Sequence, residues 1–430
     1  MNILKVLKSR SLLFYVVLLL SLFLIGEVGA TTYYVSWNGN DKNSGSTSAP
    51  FITIQKAADI VNAGDTVYVR AGTYGGFQIH QKNGASSAWI VFKPYPGETV
   101  TIDVYANNYS SSFHSIDVAA SSYIEINGFK ITNSDPKCDS QVFAEYSQMY
   151  GRDGIKVDVI NGVYSSYIKI YNNTIYHIGS HGILSTPESS HVEIIGNTIY
   201  NTGLSHRGYC MYLEGTHYTV AKNIMHNCYG HALHIYSGYS QQPQYFIVEK
   251  NKIYNTGHTN YGAGFEEYGP DGKINGDGIL LWGTDSTVQN NIVYGNIGDG
   301  LDIRQSRNKV YNNTIYNNNG KGLYISVGGN MQVINNISYL NDGGNFTGTG
   351  NLERNNFYTN PNFVDAVNGD FHLKAGSPVI DAGDNISSVV DDYWGTLRPT
   401  GTKYDIGAYE YQSSVSDTMP PAPPSPIEVK

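Results

Sequence analysis

Along residues 153–340 the apolar positions keep no helical period. They come as short alternating runs cut by Gly and Asn, the pattern of brief strands separated by tight turns. One phrase, Asn followed by a variable residue, an apolar residue and often Tyr, returns as "NNTIY" (172–176), "GNTIY" (196–200), "KNIMH" (222–226), "KNKIY" (250–254), "NNIVY" (290–294), "NNTIY" (312–316) and "NNISY" (335–339). Its Asn marks fall at 173, 197, 223, 251, 291, 313 and 336, in steps of 24, 26, 28, 40, 22 and 23. Between them lies a second phrase of small, apolar, variable and apolar residues: "DGIKVD", "HGILST", "YCMYLE", "HALHIY", "DGILLW", "DGLDIR" and "KGLYIS". Two or three short strands every 22 to 28 residues predict one coil of a parallel β-solenoid per repeat. The longer steps mark loops inserted into coils, above all "TGHTNYGAGFEEYGPDGKIN" (256–275).

The recurring Asn is expected to sit over its counterpart in the next coil and join an amide ladder that satisfies turn backbone, a structural role. Upstream, an apolar-periodic segment at about 53–62 precedes the strand "DTVYVR". It predicts a short amphipathic helix, within a cap over residues 31–75, that covers the open end of the stack. Downstream, the irregular residues 345–411 are expected to close the other end, and the Pro-rich residues 412–430 read as an extended tail or linker. Lys5, Lys8 and Arg10, the apolar run 11–25 and "VGA" (28–30) describe a signal peptide over 1–30. The expectation is therefore one exported domain over 31–411, secreted or associated with the cell surface, and monomeric.

Composition agrees with a turn-rich all-β chain: 47 Gly, 36 Tyr and only 15% charged residues. Loss of Lys5, Lys8, Arg10 and Glu27 with the leader takes the formal charge from −9 to about −11, which excludes nucleic acid as a natural partner. An acidic chain can still hold a polyanion where a metal ion supplies the positive charge. Of the three cysteines, Cys138, Cys210 and Cys228, the last two lie within the repeats and are expected to be separate buried side chains rather than a bridge.

Period-two alternation assigns the outward and corner residues of each coil. They are Asp153, Lys156 and Asp158; His181; Tyr209, Tyr212 and Glu214; His231, His234 and Tyr236; Asp277 and Trp282; Asp299, Asp302 and Arg304; Lys321, Tyr324 and Ser326. A polar or aromatic group on every coil suits a sugar-binding groove. Asp277, Asp299 and Lys321 each precede Gly at steps of 22, so the two carboxylates share a register with Asp302 beside them. Such carboxylates cannot all stay ionised without a cation between them, and calcium accepts the oxygen-rich, irregular set. The plainer alternative is turn chemistry, each Asp capping backbone N–H groups.

The opening "YYVSWNGNDKNSGSTSAPFITIQKAADIVNAGDTVYVRAGTY", with "ASSAWIVFKPYPGETVTID" (85–103), resembles the start of exported right-handed β-helix proteins of the pectate lyase superfamily, most closely polysaccharide lyase family 9. The resemblance implies an all-β right-handed parallel β-helix from residue 33 to about 340 that cleaves an acidic polysaccharide such as pectate by β-elimination. It also implies a calcium ion held by an Asp on one coil and an Asp-Asp-Gly-x-Asp run on the next, with a lysine base on a later coil. Asp277 matches the first position, and "GDGLD" (298–302) matches the run with Gly298 in place of its first Asp. Tyr324 stands where the lysine is expected, and Lys321 lies three residues earlier.

Elimination across C4–C5 of a uronate needs a neutralised carboxylate and a neutral base. Calcium at Asp277, Asp299 and Asp302 would supply the first, Lys321 the second, and Arg304 a clamp on the carboxylate. A competing cluster of Tyr212 and His234 can move the same protons without a lysine. Lys156, Tyr209, Glu214, His231, Tyr236, Trp282 and Tyr324 are the candidate substrate contacts. Rival readings on the same scaffold are a uronan C5-epimerase, a glycoside hydrolase, or a non-catalytic carbohydrate-binding solenoid.

Overall fold

The structure, a computed structural model, describes residues 29–105, 114–135, 153–203, 208–236, 242–257, 276–326, 329–348 and 352–413. The expected signal peptide to residue 28, Cys138, the inserted residues 258–275 and the tail from 414 lie outside the described residues.

Alternation builds the coil as the sequence predicts. In Ser166–Tyr171, for instance, Ile168 and Ile170 are buried while Lys169 points outward. Each full coil gives one strand to each of three parallel sheets. The first sheet starts at Thr32–Val35 and has twelve strands, the second starts at Gly72–Tyr74 and has ten, and the third starts at Phe77–His80 and has ten, with Val163–Tyr164 added antiparallel to Asp153–Ile160. Equivalent residues pair from coil to coil. Ile175, Ile199, Met225, Ile253, Val293 and Ile315 follow one another in the second sheet, all fully buried. The result is a parallel β-helix with a continuous apolar core.

The Asn marks form the expected ladder. The main-chain and side-chain N–H groups of Asn173 both donate to Asn197 Oδ1, at 2.9 and 3.1 Å. The same pair of bonds then links 197 to 223, 223 to 251, 251 to 291, 291 to 313, 313 to 336 and 336 to 356. The residue before each mark takes the left-handed conformation (Asn172, Lys222, Lys250, Asn290 and Asn312 all have φ of 51–56°), which turns the chain sharply enough to bury the amide. A second ladder, Asn296–Asn318–Asn341, lies at another corner of the later coils and falls outside the repeated phrase.

A helix, Ile54–Ile60, falls within the expected 53–62. Thr53 caps it by accepting from Lys56 N–H, and Ile54, Ala57 and Ala58 are buried in the core. The Gln55 side chain donates to the Gln78 carbonyl and accepts from its N–H, taking up main-chain groups on the first strand of the third sheet.

One expectation needs correction. Cys210 and Cys228 are joined in a disulfide with Cα atoms 5.5 Å apart. Their separation of 18 residues is almost one coil, so the solenoid returns the chain to the corner it left and brings both thiols together. Of the segment expected to close the stack, Phe346–Thr347 and Leu352–Arg354 pair with the strands of the last coil, while the later residues pack along its flank: Phe363, Phe371, Val379, Ile406 and Tyr409 cover Ile292, Tyr294, Tyr316, Ile337 and Tyr339. Lys250 pairs with Asp391 at 2.6 Å, and Asn312 and Asn335 donate to the carbonyls of Asp405 and Asp384. A fully buried Arg398–Glu410 ion pair fixes the segment's own turns, and Arg398 also donates to Asn290.

Replacing Asn251 with Ala orphans two donors on Asn223 and the carbonyl of Val220. Urea unfolding followed by circular dichroism is expected to show a loss of about 2–4 kcal/mol.

Candidate functional site

The third sheet carries the candidate residues in three parallel columns. One column lies in the strands: Asp117, Lys156, Leu184, Tyr212, His234, Leu280, Asp302 and Tyr324 pair successively. Two residues further along each strand come Asp158, Glu214, Tyr236, Trp282 and Arg304. At the preceding corner come Asp153, His181, Tyr209, His231, Asp277, Asp299 and Lys321. All the predicted site residues therefore share one face. Neighbouring coils are about 4.8 Å apart, so Tyr212 and Asp302, three coils from each other, are separated by roughly 14 Å.

The corner column is held by its own side chains. Asp153 Oδ1 accepts from His181 N–H, His231 Nδ1 from Asp277 N–H, Asp277 Oδ1 from Asp299 N–H at 2.7 Å, and Asp299 Oδ1 from Lys321 N–H at 2.6 Å. The turn-chemistry alternative thus describes what Asp277 and Asp299 do. Asp302, 1% exposed, grips the Arg304 guanidinium through both oxygens, with Nε at 2.7 and 2.8 Å. Burial and the Asp277 charge raise Asp299 to about 6. Burial raises Asp302 to about 7 against the opposing pull of Arg304, with Asp277 and Asp299 adding to the rise. The Lys321 ammonium sits 3.5 Å above the Tyr324 ring, and Arg304 lies between Trp282 and Tyr324, 5.7 and 5.4 Å from their ring centres.

The middle of the groove is aromatic. Tyr212 touches the rings of His181, Tyr209, His234 and Tyr236, with centres 5.0 to 6.5 Å apart. Tyr236 meets Trp282 edge-on. The Tyr212 phenol donates to Glu214 Oε1 at 3.2 Å. Burial, then the Glu214 carboxylate, push its pKa well above the usual phenol range, so it keeps its proton. Burial, then the neighbouring His231 and His181, push His234 well below the usual imidazole range, so it is neutral.

Residues 33–201 match the family described as "Pel9A-like, right handed beta helix region", and residues 187–363 match "Right handed beta helix region". Pectate lyase PEL9 of Emericella nidulans is 32% identical over 156 residues, 36% of this chain and 33% of that protein. The uncharacterized protein YwoF of Bacillus subtilis is 39% identical over 77 residues, 18% of this chain and 16% of that one. The chain thus spans a third or less of the length of these curated relatives. The crystal structure of pectate lyase Pel9A superposes with a TM-score of 0.66 at 20% identity, covering 90% of this chain and 98% of that one.

This chain is a right-handed β-helix of pectate lyase-like fold, similar over residues 33–201 to the Pel9A-like family.

The calcium site that this kinship implies does not fit the side chains as they stand. Among the described residues no three His, Cys, Asp or Glu groups are arranged to hold a metal ion. Asp302 is taken by Arg304, and Asp277 and Asp299 each spend an oxygen on the next corner. A Cβ added at Gly298, the position of the family's first Asp in the run, would come 2.2 Å from Asp277 Oδ1. The corner ladder therefore closes in the space where a further carboxylate would branch.

Sequence reading missed the front of the groove. His80 and Asp117 pair at 2.9 Å on adjacent coils, and His114 and His181 grip Asp153 from either side. Lys156 pairs with Asp158 at 2.8 Å. "FQIH" (77–80) and "HSIDVA" (114–119) show the same alternation, but they precede the first Asn mark at 173 and so escaped an alignment anchored on it.

A carboxyl whose folded pKa is raised binds its proton more tightly in the native state. Its stabilising contribution is full below about pH 4 and is lost as pH rises through the folded value. For Asp299 the window is about pH 4 to 6. Asp299→Asn keeps the oxygen that caps Lys321. Relative to its own value at pH 4, it should retain about 1–2 kcal/mol more stability than the parent at pH 7, read by urea unfolding at the two pH values.

Proposed function

We propose that the protein is an exported polysaccharide lyase that cleaves a uronate-containing polymer, such as pectate, by β-elimination. The observation that carries this reading is Tyr212: a phenol held protonated by burial and Glu214, with two histidine rings against it, on the face of a pectate lyase-like β-helix. Elimination needs a base for the C5 proton and an acid for the leaving oxygen. A neutral imidazole beside Tyr212 takes the proton from C5, the electron pair of that bond forms the C4=C5 double bond, and the C4–O bond breaks. The departing oxygen takes the phenolic proton of Tyr212. Lys156, two coils before Tyr212 in the same column, neutralises the carboxylate of the reacting uronate.

Arg304 and Lys321, with Tyr324 beside them, lie three coils or more beyond Tyr212 and hold carboxylates further along the polymer. Tyr209, His231, Tyr236 and Trp282 line the sugar path between. Glu214 orients Tyr212, and His234 is a neutral ring packed edge-on against it. Calcium has no step in this scheme, because the carboxylates expected to bind it have other partners.

Polygalacturonate and alginate assayed by the ultraviolet absorbance of unsaturated uronates test the reading. The parent is expected to produce the absorbance with or without chelator. Tyr212→Phe should lose about 100-fold or more in kcat, while Asp299→Asn stays within several-fold. Polymer binding without the absorbance would select the carbohydrate-binding solenoid, and C5 proton exchange without it would select an epimerase.

A further inference from the structure

Of the two histidines against Tyr212, only one has a carboxylate on its ring. Asp153 is buried at the corner one coil before His181, and its Oδ1 lies 2.9 Å from His181 Nδ1 while also accepting the His181 main-chain N–H. Its Oδ2 lies 2.9 Å from His114 Nδ1. These contacts hold the carboxylate well below the usual range despite its burial, so it is ionised and can only accept. His181 Nδ1 must then carry a proton, which leaves the lone pair on Nε2. Ser180 Oγ, 2.9 Å from the same Nδ1, adds a further hold on the ring. The imidazole is half-buried on the groove floor, with its ring centre 5.4 Å from Tyr209 and 5.5 Å from Tyr212.

His234 differs where it matters. It lies against the rings of His231 and Tyr209 as well as Tyr212, and its Nδ1 has no hydrogen-bond partner among the described residues. A proton gained there would meet other imidazoles, whereas a proton gained on His181 makes an imidazolium already paired with Asp153.

We infer that His181 is the catalytic base of this groove, with Asp153 as its positioning residue and Tyr212 as the acid opposite. In the step above, the C5 proton goes to His181 Nε2, the C4=C5 bond forms as C4–O breaks, and the leaving oxygen takes the Tyr212 proton. Water then carries a proton from His181 back to Tyr212, which returns the site to its starting state. The kinetic part of this assignment rests on the lyase reading; the reactivity of His181 does not.

The test therefore has two arms. In the first, the full protein is labelled with diethyl pyrocarbonate and the rate of carbethoxylation at each histidine is read by peptide mass spectrometry. His181 is expected to react fastest of the groove histidines, and about ten-fold more slowly in Asp153→Asn. Equal rates at His181 in the two proteins overturn the dyad, whatever the polymer. In the second, His181→Ala should lose about 100-fold or more in kcat with the parental melting temperature, and added imidazole should restore part of it. Because the hydrogen bonds of the His181 side chain run, among the described residues, to Asp153 and its neighbour Ser180, this variant keeps the assay open if Asp153→Asn fails to fold. Activity within two-fold of the parent in His181→Ala, or a loss confined to His234→Gln, overturns the assignment. If the parent releases no unsaturated uronate from any polymer, the lyase reading falls and the labelling arm decides the dyad alone.

Discussion

A buried amide must find partners, and in this chain each one finds them only on the next coil. Asn173, Asn197, Asn223, Asn251, Asn291, Asn313, Asn336 and Asn356 pass the same pair of hydrogen bonds along the stack. An inward corner would otherwise strand main-chain N–H groups away from water, at a cost of about 1–3 kcal/mol each. The ladder thereby fixes the register of every coil, and the register in turn sets which side chains share the groove. Lys156, Tyr212, His234 and Asp302 form one column because the asparagines on another corner will not let any coil slip.

The groove has its own version of the same constraint. Along the corner column, a side chain on one coil caps the N–H of the next, with Asp or His as the acceptor. The same residue type therefore does two different jobs. Asp277 is spent on the Asp299 N–H, with its other oxygen 3.2 Å from His231, and Asp299 is spent on backbone, while Asp153 is set between two imidazoles and orients a ring. Charge alone does not tell them apart. What separates them is the residue on the adjacent coil: Asp299 and Lys321 follow the first two, and His181 follows the third.

The fold was legible in the sequence because solenoid packing is local. The spacing of the Asn marks located the ladder to the residue, and alternation placed each candidate on the correct face. Less was legible where contacts run sideways. The path of residues 360–411 depends on apolar side chains such as Phe371 and Ile406 meeting Tyr294 and Ile337 on coils far away in sequence, and no period announces that. The bridge between Cys210 and Cys228 depends on the length of one coil closing on itself, which the step of 26 between its marks contained but the cysteine count obscured. At the candidate site, the shared face was legible and the partnerships were not. That Arg304 would turn onto Asp302, and Lys321 onto Tyr324, follows from side-chain reach rather than register.

The flanking C-terminal segment divides the molecule mechanically. Its contacts at Lys250, Asn290, Asn312 and Asn335 splint the coils that carry His234, Trp282, Arg304 and Lys321. Among the described residues, the coils bearing Asp153, His181 and Tyr212 lie ahead of the splint, with the Cys210–Cys228 bridge as their cross-link. A ligand laid along the whole face would meet splinted coils at one end and cross-linked but unsplinted ones beside Tyr212.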